Sequence, residues 1–201
     1  MKDNSLGIIF RTPEYGKVKQ RLASETGHEI ALSLYKEMLF TTIENVLSLN
    51  NVDIYGFYDG RFPEDIAFRY KRLVLIPQEG RDLGEKMYNA IVLLHTKGYG
   101  RIALIGADSP DLPPDYISEA FSGLDSSDVV IGPSEDGGYY LIGMKKPVDF
   151  IFKEITWGSS EVFMRTIHIL KRQGIPYFLL PKWYDIDNIE SLKRYQNLSL
   201  L

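Results

Sequence analysis

The sequence predicts a single-domain α/β protein with a mainly parallel sheet and helices on both faces. Short runs of Ile, Val and Leu recur along the chain without polar alternation, which is typical of strands buried on both faces. Amphipathic helical patterns separate these runs. The length of 201 residues suits one domain, and no linker, repeat or low-complexity tract divides it, so we treat residues 1–201 as one unit.

Six strands are predicted by the apolar runs at residues 6–10, 53–58, 73–76, 102–106, 129–132 and 175–180. Five helices are predicted between and after them. The first begins at a capping-box pattern at 26–29, the second runs from Asp82 to about Lys97, the third begins at Pro113 and Pro114, the fourth runs from 158–161 to about Gly174, and the last begins at Asp187. Ligands of such folds bind outside the carboxyl ends of the strands. We therefore expect the chemistry in the loops after the first, fourth and fifth strands.

Composition excludes several classes of protein. Apolar residues are 44% and charged residues 25% of the chain, which is ordinary for a globular protein and unlike a disordered chain or a coiled-coil rod. A net charge of -4 offers no basic surface for a nucleic-acid polymer. The absence of cysteine excludes disulfides, thiolate metal sites and cysteine nucleophiles. Neither a signal peptide nor a membrane-spanning stretch is evident, so we expect a cytoplasmic protein without a membrane partner.

A basic loop follows the first strand. It contains Gly16 and four cations: Arg11, Lys17, Lys19 and Arg21. Glycine lets backbone N–H groups approach a phosphate, and Lys or Arg neutralises its charge. A solvated basic loop would explain the same residues, but the position after the first strand favours a phosphate site. We expect Lys19 and Arg21 to be exposed loop cations that bind and stabilise phosphate.

Acidic residues follow the fourth strand. Asp108 lies at the carboxyl end of that strand and is a good anchor for Mg²⁺ or Mn²⁺, because hard cations prefer oxygen ligands and share their shell with substrate phosphates. A turn-forming Asp is the alternative for this residue. For Asp111 we favour the cap of the helix that starts at Pro113 and Pro114.

The segment after the fifth strand reads Asp136-Gly137-Gly138-Tyr139-Tyr140, which is a hairpin signal between two apolar runs. The hairpin alone explains the glycines. A functional interpretation adds that Gly137 and Gly138 let a sugar or phosphate approach the backbone, that Asp136 faces the acceptor, and that Tyr139 or Tyr140 offers a flat surface to a ring. Further on, Trp157 is either a packing residue or part of an acceptor pocket.

Two late acids complete the candidate site. Asp185 and Asp187 are two residues apart, so in an extended segment both project to one side and could reach the same metal as Asp108. Asp187 with Glu190 also resembles a capping box for the last helix, which leaves Asp185 unexplained. No Ser-His-Asp pattern supports hydrolase chemistry.

In this order, the segments at 10–22, 82–87, 106–113, 132–143 and 185–188 resemble a family of small bacterial and archaeal glycosyltransferase-like proteins. Their fold is the GT-A, nucleotide-diphospho-sugar transferase fold, a three-layer sandwich, and some members are labelled arsenosugar-biosynthesis glycosyltransferases. The same fold serves guanylyl- and cytidylyltransferases of cofactor synthesis. Residues 19–22 and the acids Asp108, Asp185 and Asp187 look like the phosphate- and metal-binding elements of phospholactate or phosphoenolpyruvate guanylyltransferases.

Two departures from the family pattern are visible. Arg11 stands where many members have Lys, which keeps the charge and changes its shape. The strict D-x-D of such glycosyltransferases is here Asp108-Ser109-Pro110, so the second carboxylate must come from Asp185 or Asp187.

The resemblance implies a metal-dependent transferase that uses Mg²⁺ or Mn²⁺, a nucleotide donor and a small-molecule acceptor; a homodimer is left open. We expect Lys19, Arg21 and Asp136 to be catalytic. Glycosyl transfer from a nucleotide-diphospho-sugar is the leading interpretation. The alternatives are nucleotidyl transfer to a phosphorylated or carboxylated metabolite, and a non-catalytic nucleotide-binding protein.

Overall fold

Seven strands form one sheet in the computed structural model, which describes residues 2–153 and 155–198. They are β1 (Lys2–Arg11), β2 (Val52–Asp59), β3 (Val74–Pro77), β4 (Tyr99–Gly106), β5 (Val129–Pro133), β6 (Tyr139–Met144) and β7 (Tyr177–Leu179). Their order across the sheet is β3-β2-β1-β4-β6-β5-β7. Strand β6 is antiparallel to both β4 and β5, and the other neighbours are parallel.

Helices cover both faces of this sheet. They are α1 (Gln20–Thr26), α2 (His28–Leu47), α3 (Glu64–Arg69), α4 (Leu83–Thr96), α5 (Pro114–Ser126), α6 (Val162–Gln173) and α7 (Ile189–Leu198), with a 3₁₀ turn at Asp149–Ile151. Because side chains alternate along a strand, Ala103 and Ile105 of β4 pack with α2 and α5, while Ile102 and Leu104 pack with α4 and α6 on the other face. The structure thus confirms the three-layer α/β fold.

Local details differ from the sequence expectations in informative ways. The short helices α1 and α3 were not predicted, whereas β6 is the second strand of the hairpin that the signal at residues 136–140 predicted. The expected capping box at Thr26 is wrong. The Thr26 hydroxyl donates to the carbonyl of Leu22 in α1, and the residue that precedes α2 is Gly27, which has a φ of 89°. Asp82 does cap its helix, since its carboxylate accepts from the backbone N–H of Glu85 at 2.9 Å.

The crossovers create a crevice between β1 and β4. These strands are neighbours, with Ile9 opposite Gly106. The chain leaves β1 through α2 on one face and reaches β4 through α4 on the other, which is the arrangement that opens a ligand crevice at the carboxyl ends. The reversed strand β6 begins at this same edge with Tyr139. No helix among the described residues is both long and apolar enough to cross a membrane.

Candidate active site

Two cavities of different character meet at this edge of the sheet. The first, called here the polar cavity, has a volume of about 540 Å³, and five cations are among its lining residues: Arg11, Lys17, Lys19, Arg81 and Lys86. The second, the apolar cavity, has a volume of about 260 Å³ and is lined largely by aliphatic and aromatic side chains. Both are lined by Asp108 and Asp187, so these two carboxylates stand at the boundary between the cavities.

Lys19 joins the two boundary carboxylates. Its Nζ lies 2.7 Å from Asp108 Oδ1 and 2.6 Å from Asp187 Oδ1, and its side chain is only 5% exposed. Burial alone would lower the pKa of Lys19, but the two carboxylates outweigh that effect and raise it. The expectation of an exposed loop cation is therefore wrong for this residue.

The local fold explains how Lys19 reaches this position. Its backbone is left-handed, with φ of 47°, and it directly precedes α1. Val18 and Leu22 on either side are buried in a cluster that also contains Ile186, the residue before Asp187. This packing holds the start of α1 against the late segment and so brings Lys19 and Asp187 together.

Two further cations of the polar cavity, Lys86 and Arg11, are tied to one acid, while Lys17 pairs with Glu14 and Arg81 with Glu85. Asp59 lies 3.0 Å from Lys86 Nζ and 3.5 Å from the Arg11 guanidinium. The hydrogen bond from Lys86 lowers the pKa of Asp59 despite its partial burial. Sequence reasoning assigned no role to Lys86, although its place in the first turn after the third strand was a usable signal. Gln78 was also missed; its amide donates to the carbonyls of Phe10 and Phe57, which fixes the ends of β1 and β2.

Two residues of the basic loop lie apart from the polar cavity. Gly16 forms an exposed turn with φ of 70°, and its carbonyl accepts from the Gln20 amide. Arg21 is exposed and lines a separate cavity of about 410 Å³ together with Asp136 and Asp185. The structure therefore does not bring Arg21 to the phosphate-binding cations with Lys19.

Asp185 is held by hydroxyl groups. Its Oδ1 accepts from Ser109 at 2.8 Å and its Oδ2 accepts from Ser134. Burial raises the pKa of Asp185 to about 6, and the nearby carboxylates of Asp108 and Asp136 add to this effect, while the two serines oppose it. Both oxygens are thus engaged by the protein itself, which sets Asp185 apart from Asp108 and Asp187.

The expected triad of acids is only partly assembled. Within residues 2–153 and 155–198, no group of three His, Cys, Asp or Glu side chains is placed to hold a metal ion. The pair Asp108 and Asp187 does fit a hard cation, because the two side chains are 43% and 40% exposed and two carboxylates with substrate phosphates are a usual set of ligands for Mg²⁺. We therefore retain these two residues as candidate ligands and remove Asp185.

The helix-capping interpretations of Asp111 and Asp187 are wrong. Asp111 does not cap α5, whose preceding residue Pro113 makes no side-chain cap; its carboxylate instead accepts from the hydroxyl of Tyr184. At the last helix, the carboxamide oxygen of Asn188 accepts from the backbone N–H of Ser191 at 2.9 Å. Asn188 is therefore the capping residue, which leaves Asp187 for the ion pair with Lys19.

Trp157 covers the apolar cavity. Its ring is stacked on Phe152 with a centroid distance of 6.4 Å and meets Tyr139 edge-on at 6.3 Å. The indole lies on Gly84 at the start of α4, where an added Cβ would fall 2.5 Å from Nε1. The Tyr139 hydroxyl and the Trp157 indole N–H are buried and have no hydrogen-bond partner in the described part of the chain. Trp157 thus both packs and lines the cavity.

The glycine turn forms the predicted hairpin between β5 and β6, and Gly137 leaves no room for the sugar or phosphate that the functional interpretation placed there. Gly137 has φ of 92°, and an added Cβ would lie 2.0 Å from the carbonyl oxygen of Ser160, so the chain itself occupies the space expected for a sugar or phosphate. The backbone N–H of Gly138 donates to Asp136 Oδ1 at 2.8 Å. Asp136 and Gly138 do line the apolar cavity, whereas Gly137 secures the segment that carries Trp157.

Comparison with known proteins agrees with this architecture. A crystal structure of a candidate nucleotide-diphospho-sugar transferase from Desulfovibrio desulfuricans G20 shares 34% identity over 92% of this chain and 82% of that chain, with a TM-score of 0.85. CMP:2-keto-3-deoxy-manno-octonic acid synthetase complexed with CTP shares 11% identity over 98% of both chains, with a TM-score of 0.62. Rv0371c of Mycobacterium tuberculosis H37Rv in complex with manganese shares 12% identity over 95% and 97% of the two chains, with a TM-score of 0.57.

Fold and neighbours define the class as α/β transferases of the GT-A type. The family model described as "Uncharacterized protein conserved in bacteria (DUF2064)" matches residues 42–159. The chain belongs to this DUF2064 family. No match was found among the curated proteins.

Proposed function

We propose that this chain is a metal-dependent glycosyltransferase that binds a nucleotide-diphospho-sugar in the polar cavity and a small acceptor in the apolar cavity. The observation that carries this proposal is the meeting of the two cavities at Asp108 and Asp187. A donor whose diphosphate lies among the cations would present its sugar at this boundary, where an acceptor in the second cavity can reach it.

The cations would bind the donor's diphosphate. Arg11, Lys17 and Lys86 line the polar cavity and supply charge to the phosphate oxygens. Asp108 and Asp187 would hold Mg²⁺ or Mn²⁺, which when bound supplies Lewis-acid stabilisation of the diphosphate. Lys19, fixed between the same carboxylates, stabilises the negative charge that develops on the leaving group.

Asp136 would act on the acceptor side. In glycosyl transfer the bond between the sugar carbon and the diphosphate oxygen breaks, a bond between the same carbon and the acceptor oxygen forms, and the acceptor loses a proton. Asp136 lines the apolar cavity and has one oxygen engaged by Gly138, which leaves the other free to take that proton. The products are the glycosylated acceptor and a nucleoside diphosphate.

Relatives support the use of a nucleotide. The protein from Desulfovibrio desulfuricans that is 34% identical is itself a candidate nucleotide-diphospho-sugar transferase. The likeness to the synthetase complexed with CTP shows that the same fold can accommodate a nucleoside triphosphate. That likeness, together with Pro110 at the position of the second acid of D-x-D, favours nucleotidyl transfer as a second candidate.

The leaving group distinguishes the two candidates. Transfer of a sugar releases a nucleoside diphosphate, whereas transfer of a nucleotidyl group from a triphosphate releases pyrophosphate. We would incubate the protein with panels of nucleotide sugars and of nucleoside triphosphates, with Mn²⁺ and a mixture of small acceptors, and measure both products. Nucleoside diphosphate release supports the proposal, pyrophosphate release supports the second candidate, and release of neither overturns both.

Variants locate the activity. Asp108→Asn should lower product release by about a hundredfold, because the metal loses an anchoring charge. Asp125→Asn is the matched control, since Asp125 pairs with Arg101 on the surface, away from both cavities. Equal loss in the two variants would contradict the assignment of the site.

A further inference from the structure

The apolar cavity carries an excess of negative charge. Four carboxylates line it, those of Asp108, Asp136, Asp185 and Asp187, and no Lys, Arg or His of the described chain is among its lining residues. We propose that the acceptor is a small molecule with an apolar body and a cationic amine, and that this cavity selects against phosphorylated and carboxylated acceptors. This inference rests on the proposed function, because it names the acceptor class of that site.

The nearby cations do not compensate this charge. Lys19 is shared between Asp108 and Asp187 and neutralises one of the two. Arg21 lies on the far side of Asp136 and Asp185, in the neighbouring cavity. Counting both cations against the four carboxylates still leaves two negative charges. A divalent ion bound with the donor is offset by the donor's own diphosphate, so the acceptor side stays negative.

Asp136 is the carboxylate best placed to meet an amine. Asp185 is buried and accepts hydrogen bonds from the hydroxyls of Ser109 and Ser134, so its negative charge attracts a cationic acceptor without direct contact. Asp136 is exposed at the cavity and accepts only one backbone hydrogen bond, from Gly138. Its second oxygen takes the hydroxyl proton in the proposed reaction, so the negative charge of Asp136, rather than a direct hydrogen bond, attracts the ammonium group of the acceptor.

The walls suit an apolar body. Leu83, Met87, Ile142 and Val162 line the cavity with the rings of Tyr139 and Trp157. Aromatic faces attract cations and stack on ring substituents. The Tyr139 hydroxyl and the Trp157 indole N–H are themselves buried, the latter against Gly84, so the rings and not these polar atoms line the cavity.

An anionic acceptor would meet the opposite environment. Burying a phosphate or carboxylate beside uncompensated carboxylates costs desolvation and adds like-charge repulsion. The polar cavity, by contrast, is lined by five cations against four carboxylates, those of Asp59, Asp82, Asp108 and Asp187, so its lining is slightly positive. The division of charge between the cavities would therefore hold each substrate on its own side of Asp108 and Asp187.

Three matched probes test this proposal. They share a phenylethyl body and differ in charge: 2-phenylethylamine, 2-phenylethanol and 3-phenylpropanoate. We would measure their dissociation constants with the full chain, without donor and without a divalent ion, by titration calorimetry. The amine should bind about tenfold more tightly than the carboxylate, with the alcohol between them. A carboxylate that binds as tightly as the amine, or the failure of all three to bind at millimolar concentration, would overturn the inference.

Variants place the effect in this cavity. Asp136→Asn should reduce the advantage of the amine over the alcohol by about threefold or more, because the negative charge of Asp136 is lost. Trp157→Ala should weaken all three probes, and the surface variant Asp125→Asn should change none. An amine preference that persists unchanged in Asp136→Asn would refute the assignment.

These titrations involve no donor and no turnover. A protein that prefers the amine but releases no nucleoside diphosphate would refute the proposed function while upholding the binding preference. A protein that glycosylates anionic acceptors would uphold the function and refute this inference.

Discussion

Replacing Lys19 by Met tests whether a buried ammonium holds the boundary carboxylates. Methionine keeps the apolar stem and removes the charge, so the loss measured is electrostatic. Lys19 makes charge-assisted contacts of 2.7 and 2.6 Å and is 5% exposed. Each such bond contributes about 1.5–3 kcal/mol when its partner is buried. Since Asp108 and Asp187 are each about two-fifths exposed, water compensates part of this, and we expect a loss of about 2–3 kcal/mol.

Urea denaturation measures this loss as a fall in the free energy of unfolding at constant slope. The matched control is Lys17→Met, because Lys17 is 63% exposed and pairs with Glu14 at the surface, which predicts a change within about 0.5 kcal/mol. Adding Mn²⁺ should restore more stability to Lys19→Met than it adds to the native protein, since a divalent ion can replace the lost counter-charge. A Lys19→Met protein as stable as the Lys17→Met control would refute the reasoning.

Three further outcomes are expected. Gly137→Ala should cost more than about 2 kcal/mol, because a Cβ there would lie 2.0 Å from a backbone carbonyl at positive φ, while Gly16→Ala, in open space, should cost about 1 kcal/mol in the same thermal-melting series. Gly84→Ala should displace Trp157 and shift its fluorescence emission to longer wavelength; an unchanged spectrum would contradict the packing described. For Asp185 the folded pKa of about 6 lies above the ordinary 3.8, so the folded state binds the extra proton and stability should fall as pH rises from about 4 to about 6. Asp185→Asn should abolish that fall and be up to about 3 kcal/mol more stable at pH 7; a carboxylate-like pH profile in the variant would contradict it.

Sequence periodicity was sufficient for the fold because each strand buried on both faces is a continuous apolar run. The run at 129–132 became β5 and the run at 102–106 became the end of β4. The short helix α1 escaped prediction because it begins within the segment interpreted as a basic loop, which ends at Arg21, and because its first turn lacks a side-chain cap.

The sequence was sufficient to predict most residues of the candidate site but not which of them contact one another. Asp108, Lys19 and Asp187 stood out because each lies in a loop at one edge of a parallel sheet. Their mutual contact depends on tertiary packing between residues 168 positions apart, which no local pattern encodes. For the same reason the sequence could not distinguish Asp185 from Asp187. In the structure the hydroxyls of Ser109 and Ser134, from two distant loops, bind Asp185, whereas Asp187 pairs with Lys19.

The reversed strand β6 divides the chain into two parts that could be exchanged independently. Apart from Asp187, the lining of the polar cavity comes from residues 9–108. Strand β6 runs backward between β4 and β5, and the turn before it and the segment after it contribute to the apolar cavity and not to the polar cavity. Transplanting residues 134–163 from a relative should therefore change the acceptor while retaining the donor. Under the proposed function, recombination within this one short stretch of chain would give a new product from the same donor.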